Sequence, residues 1–248
     1  MPGCWAGCYG SRAPEWHPEV SFILGSMNIA IFIHQPVCAV DSANGIIKAL
    51  SPQHSFKLFS IDEVEPLFFN DVDCVCFPGG FGDADRFDRL LKWNFDSVRQ
   101  FVKGGGKYLG ICMGAYWAGP YYFDILDSIK VEQYIRRPNT CTRRPHPKAM
   151  PVEWLGRNER MYFYDGCAFT GDNMNVVSRY SNNDPMAIIQ GNIGVIGCHL
   201  ESEQWWYDKR YLQPHWHKEK HYQLLKDFVN TIQGGACHET TSIGFRVV

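Results

Sequence analysis

Residues 107–118 read KYLGICMGAYWA. A short apolar run leads into Gly110-Ile111-Cys112-Met113-Gly114, and a helix-forming segment follows. This is the pattern G-x-nucleophile-x-G of a strand that turns sharply into a helix, with cysteine at the apex. The glycines have a steric reason: at so tight a corner the neighbouring chain passes too close for a Cβ. Such a turn lifts the sulfur above the carboxyl edge of the sheet, where ligands bind in open α/β folds. The start of the next helix lies under the sulfur, and its partial positive charge favours the thiolate. A plain buried thiol in a tight turn is the competing reading.

Working outward, the flanking segments alternate between strand and helix. Apolar runs at 29–33, 56–59, 73–77 and 107–111 predict strands, the first of them buried on both faces. Helical spacing predicts helices over 44–50, 86–93, 95–102 and 114–118, and Gly104-Gly105-Gly106 stops the third. That alternation implies a parallel sheet covered by helices. After 120 the pattern changes. Residues 135–160, rich in Arg, Pro and His, read as an insertion or long loop. Four short strands are expected at 161–164, 175–180, 186–190 and 193–198, as an antiparallel extension or meander. An amphipathic helix over 219–232 closes the domain. Residues 1–26 read as a flexible extension, 27–233 as one domain, and 234–248 as a tail.

Composition narrows the class. Of 248 residues, 45% are apolar and 20% charged, as in a folded globular protein. The net charge, 24 − 26 = −2, gives no general attraction to nucleic acid or anionic membrane. No apolar run approaches the length of a membrane span. Ten cysteines, several inside apolar runs, read as reduced thiols acting as small hydrophobes. The N-terminus lacks the charged-then-apolar layout of a signal peptide, so a reducing cytoplasm is expected. Cys4 and Cys8 have no second ligand pair nearby, which argues against zinc.

A nucleophilic cysteine needs a base. In GVIGCHLESE (194–203) His199 follows an apolar strand, and Glu201 stands two residues on, on the same side of an extended chain. Glu201 can fix the imidazole tautomer and stabilise the imidazolium. A His–Glu surface pair is the alternative. The stretch CVCFPGGFGDADRF (74–87) puts Gly79 and Gly80 just past a buried strand, with backbone N–H groups available for an oxyanion. The N–H of Met113 would be the second donor. A plain strand–loop turn competes with this, but three such features at three strand ends reinforce one another.

PGG, G-x-C-x-G and H-x-E, in this order, resemble the class I glutamine amidotransferase superfamily. Within it, FVKGGGKYLGICMGAYWA (101–118), MYFYDGCAFTGDN (161–173) and VVSRYSNNDPMAIIQGNIGVIGCHLE (176–201) resemble the biotin-protein ligase N-terminal domain family. The likeness spans about 27 to 232. It implies a flavodoxin-like three-layer α/β/α sandwich and a triad of Cys112, His199 and Glu201. It implies Gly80 and Met113 as the oxyanion donors, and the Pro-Gly-Gly reading adds Gly79 to the oxyanion-hole residues; no cofactor is expected. Biotin ligation is not implied, because no ligase motif is present. Glutamine-hydrolysing members carry Gln four residues after the nucleophile and read H-P-E. Here the corresponding residues are Tyr116 and Leu200.

The expected activity is that of a free-standing Cys-dependent amidase or hydrolase acting on a small amide or ester. Tyr116, Asp83 and Trp205 are candidate substrate contacts. The alternatives are an idle binding or regulatory module on the same fold, or an ammonia-donating subunit of a separate synthase. Such a synthase, or a second copy of the chain, would be the partner; no nucleic acid or membrane is expected. Other features have two readings each. The basic stretch Arg136, Arg137, Arg143, Arg144, His146 and Lys148 either binds an anion or lies on a solvated loop. The cluster Trp205, Trp206, Tyr207, Tyr211 and Trp216 either walls the site or packs under the last helix. Asp83 and Asp85 either contact substrate or cap the next helix. His215, His217 and His221 carry no supporting ligand pattern, and no metal is expected.

Overall fold

Alternate residues of the first strand are sorted into two different cores. In β1 (Asn28–Phe32), Ile29 and Ile31 join the core under α1 (Val40–Leu50) and α5 (Lys220–Gly234). Ala30 and Phe32 join the opposite core, with Phe87, Val98 and Trp117 from α2 (Phe87–Leu90), α3 (Phe95–Lys103) and α4 (Met113–Trp117). A strand whose side chains alternate between two covered faces must be apolar where it is covered, and this one is from Ile29 to Phe32. The result is a three-layer α/β/α arrangement. The computed structural model describes residues 25–92 and 95–234. The expected N-terminal extension, apart from its last two residues, and the C-terminal tail, apart from Gly234, lie outside the described residues.

The remaining strands are β2 (Ser55–Phe59), β3 (Cys74–Phe77), β4 (Lys107–Ile111), β5 (Ile129–Gln133), β6 (Lys148–Trp154), β7 (Arg157–Phe163), β8 (Cys167–Gly171), β9 (Asn175–Tyr180), β10 (Pro185–Gln190) and β11 (Ile193–Ile196). Nine form one sheet in the order β2-β1-β3-β4-β11-β10-β9-β6-β7. The first five in that order are mutually parallel, and the rest continue antiparallel. The expected mostly parallel sheet with an antiparallel extension is therefore present. β5 and β8 pair separately as a two-stranded antiparallel ribbon.

Three expectations need correction. Residues 135–160 are not one loop, because β6 and the start of β7 form a hairpin there. Pro151, inside β6, has no N–H to donate to a ladder. It is tolerated because β9 pairs only with Val152–Trp154 of β6, so Pro151 owes no hydrogen bond on that side. The helix expected over 86–93 is the single turn α2. The ribbon strands β5 and β8 had no place in the sequence reading. The basic stretch is largely used internally: Arg137 bridges Glu132 (2.9 Å) and Asp184 (3.0 Å), and Arg143 donates to the Arg137 carbonyl (2.8 Å).

The cysteines of the described residues are all free thiols. Among those residues no helix is long and apolar enough to cross a membrane. No group of three metal-ligating side chains is assembled among them either.

Candidate active site

The site lies where three neighbouring parallel strands end. β3 runs into Pro78-Gly79-Gly80, β4 into Cys112, and β11 into Gly197-Cys198-His199. Register makes these ends level: Phe77 pairs with Gly110, and Ile196 with Ile111. The Cys112 amide extends the ladder by donating to the Ile196 carbonyl (2.8 Å). Two segments 87 positions apart are thus adjacent because β4 and β11 are partners.

Cys112 sits at φ 50°, ψ −100°, an uncommon backbone for a residue with a Cβ. Strain of this kind persists only where the surroundings impose it, and it clusters at functional sites. The surroundings are visible here. A Cβ at Gly114 would overlap the Phe77 carbonyl, so glycine lets the first turn of α4 pass against β3. The Cys112 side chain is largely covered, at 5% exposure, with its sulfur 3.8 Å from the Tyr164 carbonyl oxygen.

His199 is buried and its Nδ1–H donates to Glu201 Oε1 (2.8 Å). The Cys112 sulfur faces the same ring closely enough to favour its charged form. With Nδ1 committed to the carboxylate, Nε2 is the nitrogen left for sulfur. Burial alone would push this imidazole down. The Glu201 carboxylate, the Cys112 sulfur and the hydrogen bond to Glu201 outweigh it and raise His199 to about 10. The ring therefore favours the charged form when sulfur and carboxylate face it.

Glu201 is completely buried, and its Oε1 accepts a second hydrogen bond from Ser42 Oγ (2.7 Å), while Oε2 has no partner among the described residues. Ser42 Oγ in turn accepts the Gly79 N–H (3.0 Å). One hydroxyl on α1 thus joins the carboxylate behind the histidine to the Pro-Gly-Gly loop. Sequence reading missed Ser42, which lies 159 residues from Glu201 in a segment with no motif.

This bond also changes the reading of Gly79. Its N–H is occupied by Ser42, so it is not a free oxyanion donor. Its glycine identity has another cause, since a Cβ there would strike the His199 ring. The N–H groups of Gly80 and Met113 have no protein acceptor among the described residues, and both residues line the cavity into which Cys112 faces.

Two cavities adjoin the pair. The larger, about 580 Å³, is lined by Cys112, Gly80, Met113, Tyr116, Asp83 and Asp165 among others. Tyr116 is fixed there by a hydrogen bond from its hydroxyl to the Asp165 carbonyl (3.1 Å). Asp83 caps the short turn Ala84–Arg86 by accepting the Asp85 N–H (3.2 Å), and Tyr122 donates to Asp85 (2.9 Å). The capping role of Asp83 is thus present, on the wall of the cavity. Arg136 reaches the same cavity.

The smaller cavity, about 210 Å³, is lined by His199, Trp205, Trp206, Tyr162, Tyr164 and Phe81 among others. Both spaces share Gly80, Phe81 and Tyr164; the two rings of that pair meet edge to face at 5.8 Å. The aromatic cluster after Glu201 is therefore divided. Trp205 and Trp206 wall the cavity, whereas Tyr207 and Trp216 pack with Leu212. Phe81 and Tyr164, like Ser42, carried no sequence signal, whereas Trp206 belongs to the aromatic cluster for which a wall of the site was one of the two readings.

No curated protein sequence matches the chain. Among solved structures, PurLQS from Thermotoga maritima is similar at 15% identity, TM-score 0.56, covering 82% of this chain and 99% of that one. A glutamine amidotransferase from the same organism is similar at 15% identity, TM-score 0.54, covering 84% and 94%. The exo-β-1,4-mannosidase Op5Man5 from Opitutaceae bacterium strain TAV5 is similar at 11% identity, TM-score 0.53, covering 83% of this chain but 36% of that one. At these identities the likeness concerns the fold. Residues 46–126 match the family model for biotin-protein ligase, N terminal, and the chain has the flavodoxin-like fold of the class I glutamine amidotransferase-like proteins.

Proposed function

We propose that the chain is a Cys-dependent hydrolase of C–N bonds, an amidase working by acyl transfer to water. The observation that carries this is the buried His199 ring, held by Glu201 on one nitrogen and placed beside the Cys112 sulfur, which favours its charged form. His199 takes the thiol proton, and the Cys112 thiolate attacks the carbonyl carbon. The N–H groups of Gly80 and Met113 face the negative charge that develops on oxygen. The thioester is then hydrolysed, with His199 acting on water. Glu201 does not react; it holds the imidazole and stabilises its charged form.

A second reading, an ammonia-donating subunit of a synthase, is supported by the likeness to the Thermotoga glutamine amidotransferase. Tyr116 counts against it, because it stands where glutamine-hydrolysing relatives place Gln and is anchored to Asp165. A third, an idle module, is supported by the occurrence of the fold as a minor part of a mannosidase chain. The deciding experiment is hydrolysis of a panel of amides, glutamine included, by the wild type and by Cys112→Ala. The amidase reading requires turnover that the variant lacks. Turnover confined to glutamine would favour the second reading, and none at all the third.

A further inference from the structure

The two cavities do not serve the same part of a substrate, and their division suggests which amides are cut. This inference rests on the amidase reading above. In acyl transfer through a Cys–His pair, the acyl carbon bonds to sulfur while histidine protonates the departing nitrogen. The acyl group therefore belongs in the space around the nucleophile and the oxyanion donors. The leaving amine belongs in the space around the histidine. Cys112 and Met113 line only the larger cavity, and His199 only the smaller.

Aromatic rings make up most of the wall of the smaller cavity, with Asp41, Asp208 and Lys209 also on its lining. Tyr162 and Trp206 each stand edge to face with the His199 ring, at 5.9 and 5.3 Å. Phe81 and Trp205, 53% and 51% exposed, are among the few large apolar side chains left open to solvent, and both line this space. Exposed aromatic groups gathered at one concavity mark a binding surface. Size decides the rest. Ammonia is about as large as a water molecule, which fills about 30 Å³ of liquid, whereas an apolar cavity of about 150 Å³ holds benzene. The roughly 210 Å³ here greatly exceeds the need of ammonia and suits a ring with its linking carbon.

We infer that the substrate is a secondary amide whose leaving amine carries an aromatic or comparably bulky apolar group, seated between Trp205, Trp206, Tyr162 and Phe81. The tetrahedral adduct collapses to the thioester: the carbonyl re-forms and the C–N bond breaks while the acyl–sulfur bond is kept. The proton that His199 took from the thiol passes to the departing nitrogen, and the amine leaves neutral. Water then adds to the thioester, releasing the carboxylic acid and returning a proton to sulfur. The sum is amide plus water to acid plus amine.

The test compares amides of one acyl group whose leaving amines differ in size but little in basicity: primary amide, N-methylamide and N-benzylamide, in γ-glutamyl and acetyl series. The expected kcat/KM is at least about 10-fold higher for the benzylamide than for the methylamide. Trp205→Ala, at the half-exposed rim, should compress that ratio toward one, as should Trp206→Leu. Binding is read separately, by saturation-transfer NMR of benzylamine against methylamine with the wild type and Trp205→Ala. A benzylamide/methylamide ratio at or below one, or failure of benzylamine to bind, overturns the inference. Turnover of glutamine alone does so too, while leaving cysteine-dependent chemistry intact. Benzylamine binding that Trp205→Ala weakens, with no amide cleaved and Cys112 inert to alkylation, keeps the pocket and removes the hydrolase reading instead.

Discussion

Two sets of buried histidines meet in this protein and are driven in opposite directions. His199 is raised to about 10, whereas His217 is lowered to about 3 and His221 to about 4. All three are nearly sealed from solvent. The sites touch through Ser202, whose hydroxyl donates to the His199 carbonyl (2.9 Å) and whose carbonyl accepts from His217 Nε2 (2.9 Å). Burial disfavours charge on each of them. His199 alone has a buried carboxylate at hydrogen-bond distance and a thiol on the same ring. His217 has a backbone carbonyl and the stacked His221 ring, which opposes its charge further. His221 does reach Glu159 at 3.3 Å, but that carboxylate is about one-third exposed, and burial prevails. The partner, more than the depth, decides whether a buried imidazole keeps its proton.

The largest effect that could break this contrast is catalytic. On the amidase reading, His199→Asn should lower kcat/KM for the preferred amide by about 10⁴-fold, measured by amine release. His217→Asn should change it by less than 10-fold. Comparable losses from both would mean that the triad and the neutral pair are not functionally distinct.

Glu201→Gln sharpens the same contrast. It keeps a hydrogen-bonding side chain but removes the charge, leaving His199 with burial as its dominant influence. Its imidazole, followed by NMR, should titrate well below the wild-type value, and kcat should fall by about 10³-fold or more. An unchanged titration would show that the carboxylate does not set the proton affinity.

The two sets also predict opposite slopes of stability against pH. For His217 and His221, folded values lie below the unfolded one of about 6.5. As pH falls below about 6.5, the unfolded chain binds protons that the folded one refuses, and stability drops until pH approaches about 4 for His221 and about 3 for His217. The slope is about 1.4 kcal/mol per pH unit for each group at most. For His199 the folded value is raised. Its contribution is fully present below about 6.5 and is lost as pH climbs toward 10. Urea midpoints should thus peak near neutrality. His221→Gln should flatten the acid side by about one proton and leave the alkaline side unaltered. A variant that flattened the alkaline side would contradict the assignment.

The smallest expected effect concerns Ser42. Ser42→Ala leaves the buried Gly79 N–H without an acceptor and removes one of the two bonds to Glu201 Oε1. The expected loss is about 1–3 kcal/mol in urea unfolding, with a fall in kcat larger than any change in KM.

Legibility in the sequence followed the same physics as the structure. β1, β3, β4 and β11 are covered on both faces, so they must be continuous apolar runs and can be seen as such. Cys112, His199 and Glu201 were legible because each sits at the end of one of those strands, in a short local pattern. The antiparallel half was less so. β6 holds a proline that only partial pairing permits, and β5 and β8 are five-residue strands that pair only with each other. Ser42, Phe81 and Tyr164 reach the site from three separate segments. Their importance is a property of the folded arrangement and has no local signature.

The central claim is that Cys112 is a nucleophile made competent by His199, and intact-mass spectrometry of the protein during turnover of a slow amide or ester tests it most directly. The account predicts a transient adduct of acyl mass on the peptide carrying Cys112, absent in Cys112→Ala and not formed at a measurable rate in His199→Asn. An adduct on any of the other buried thiols, or turnover that survives Cys112→Ala, would contradict it.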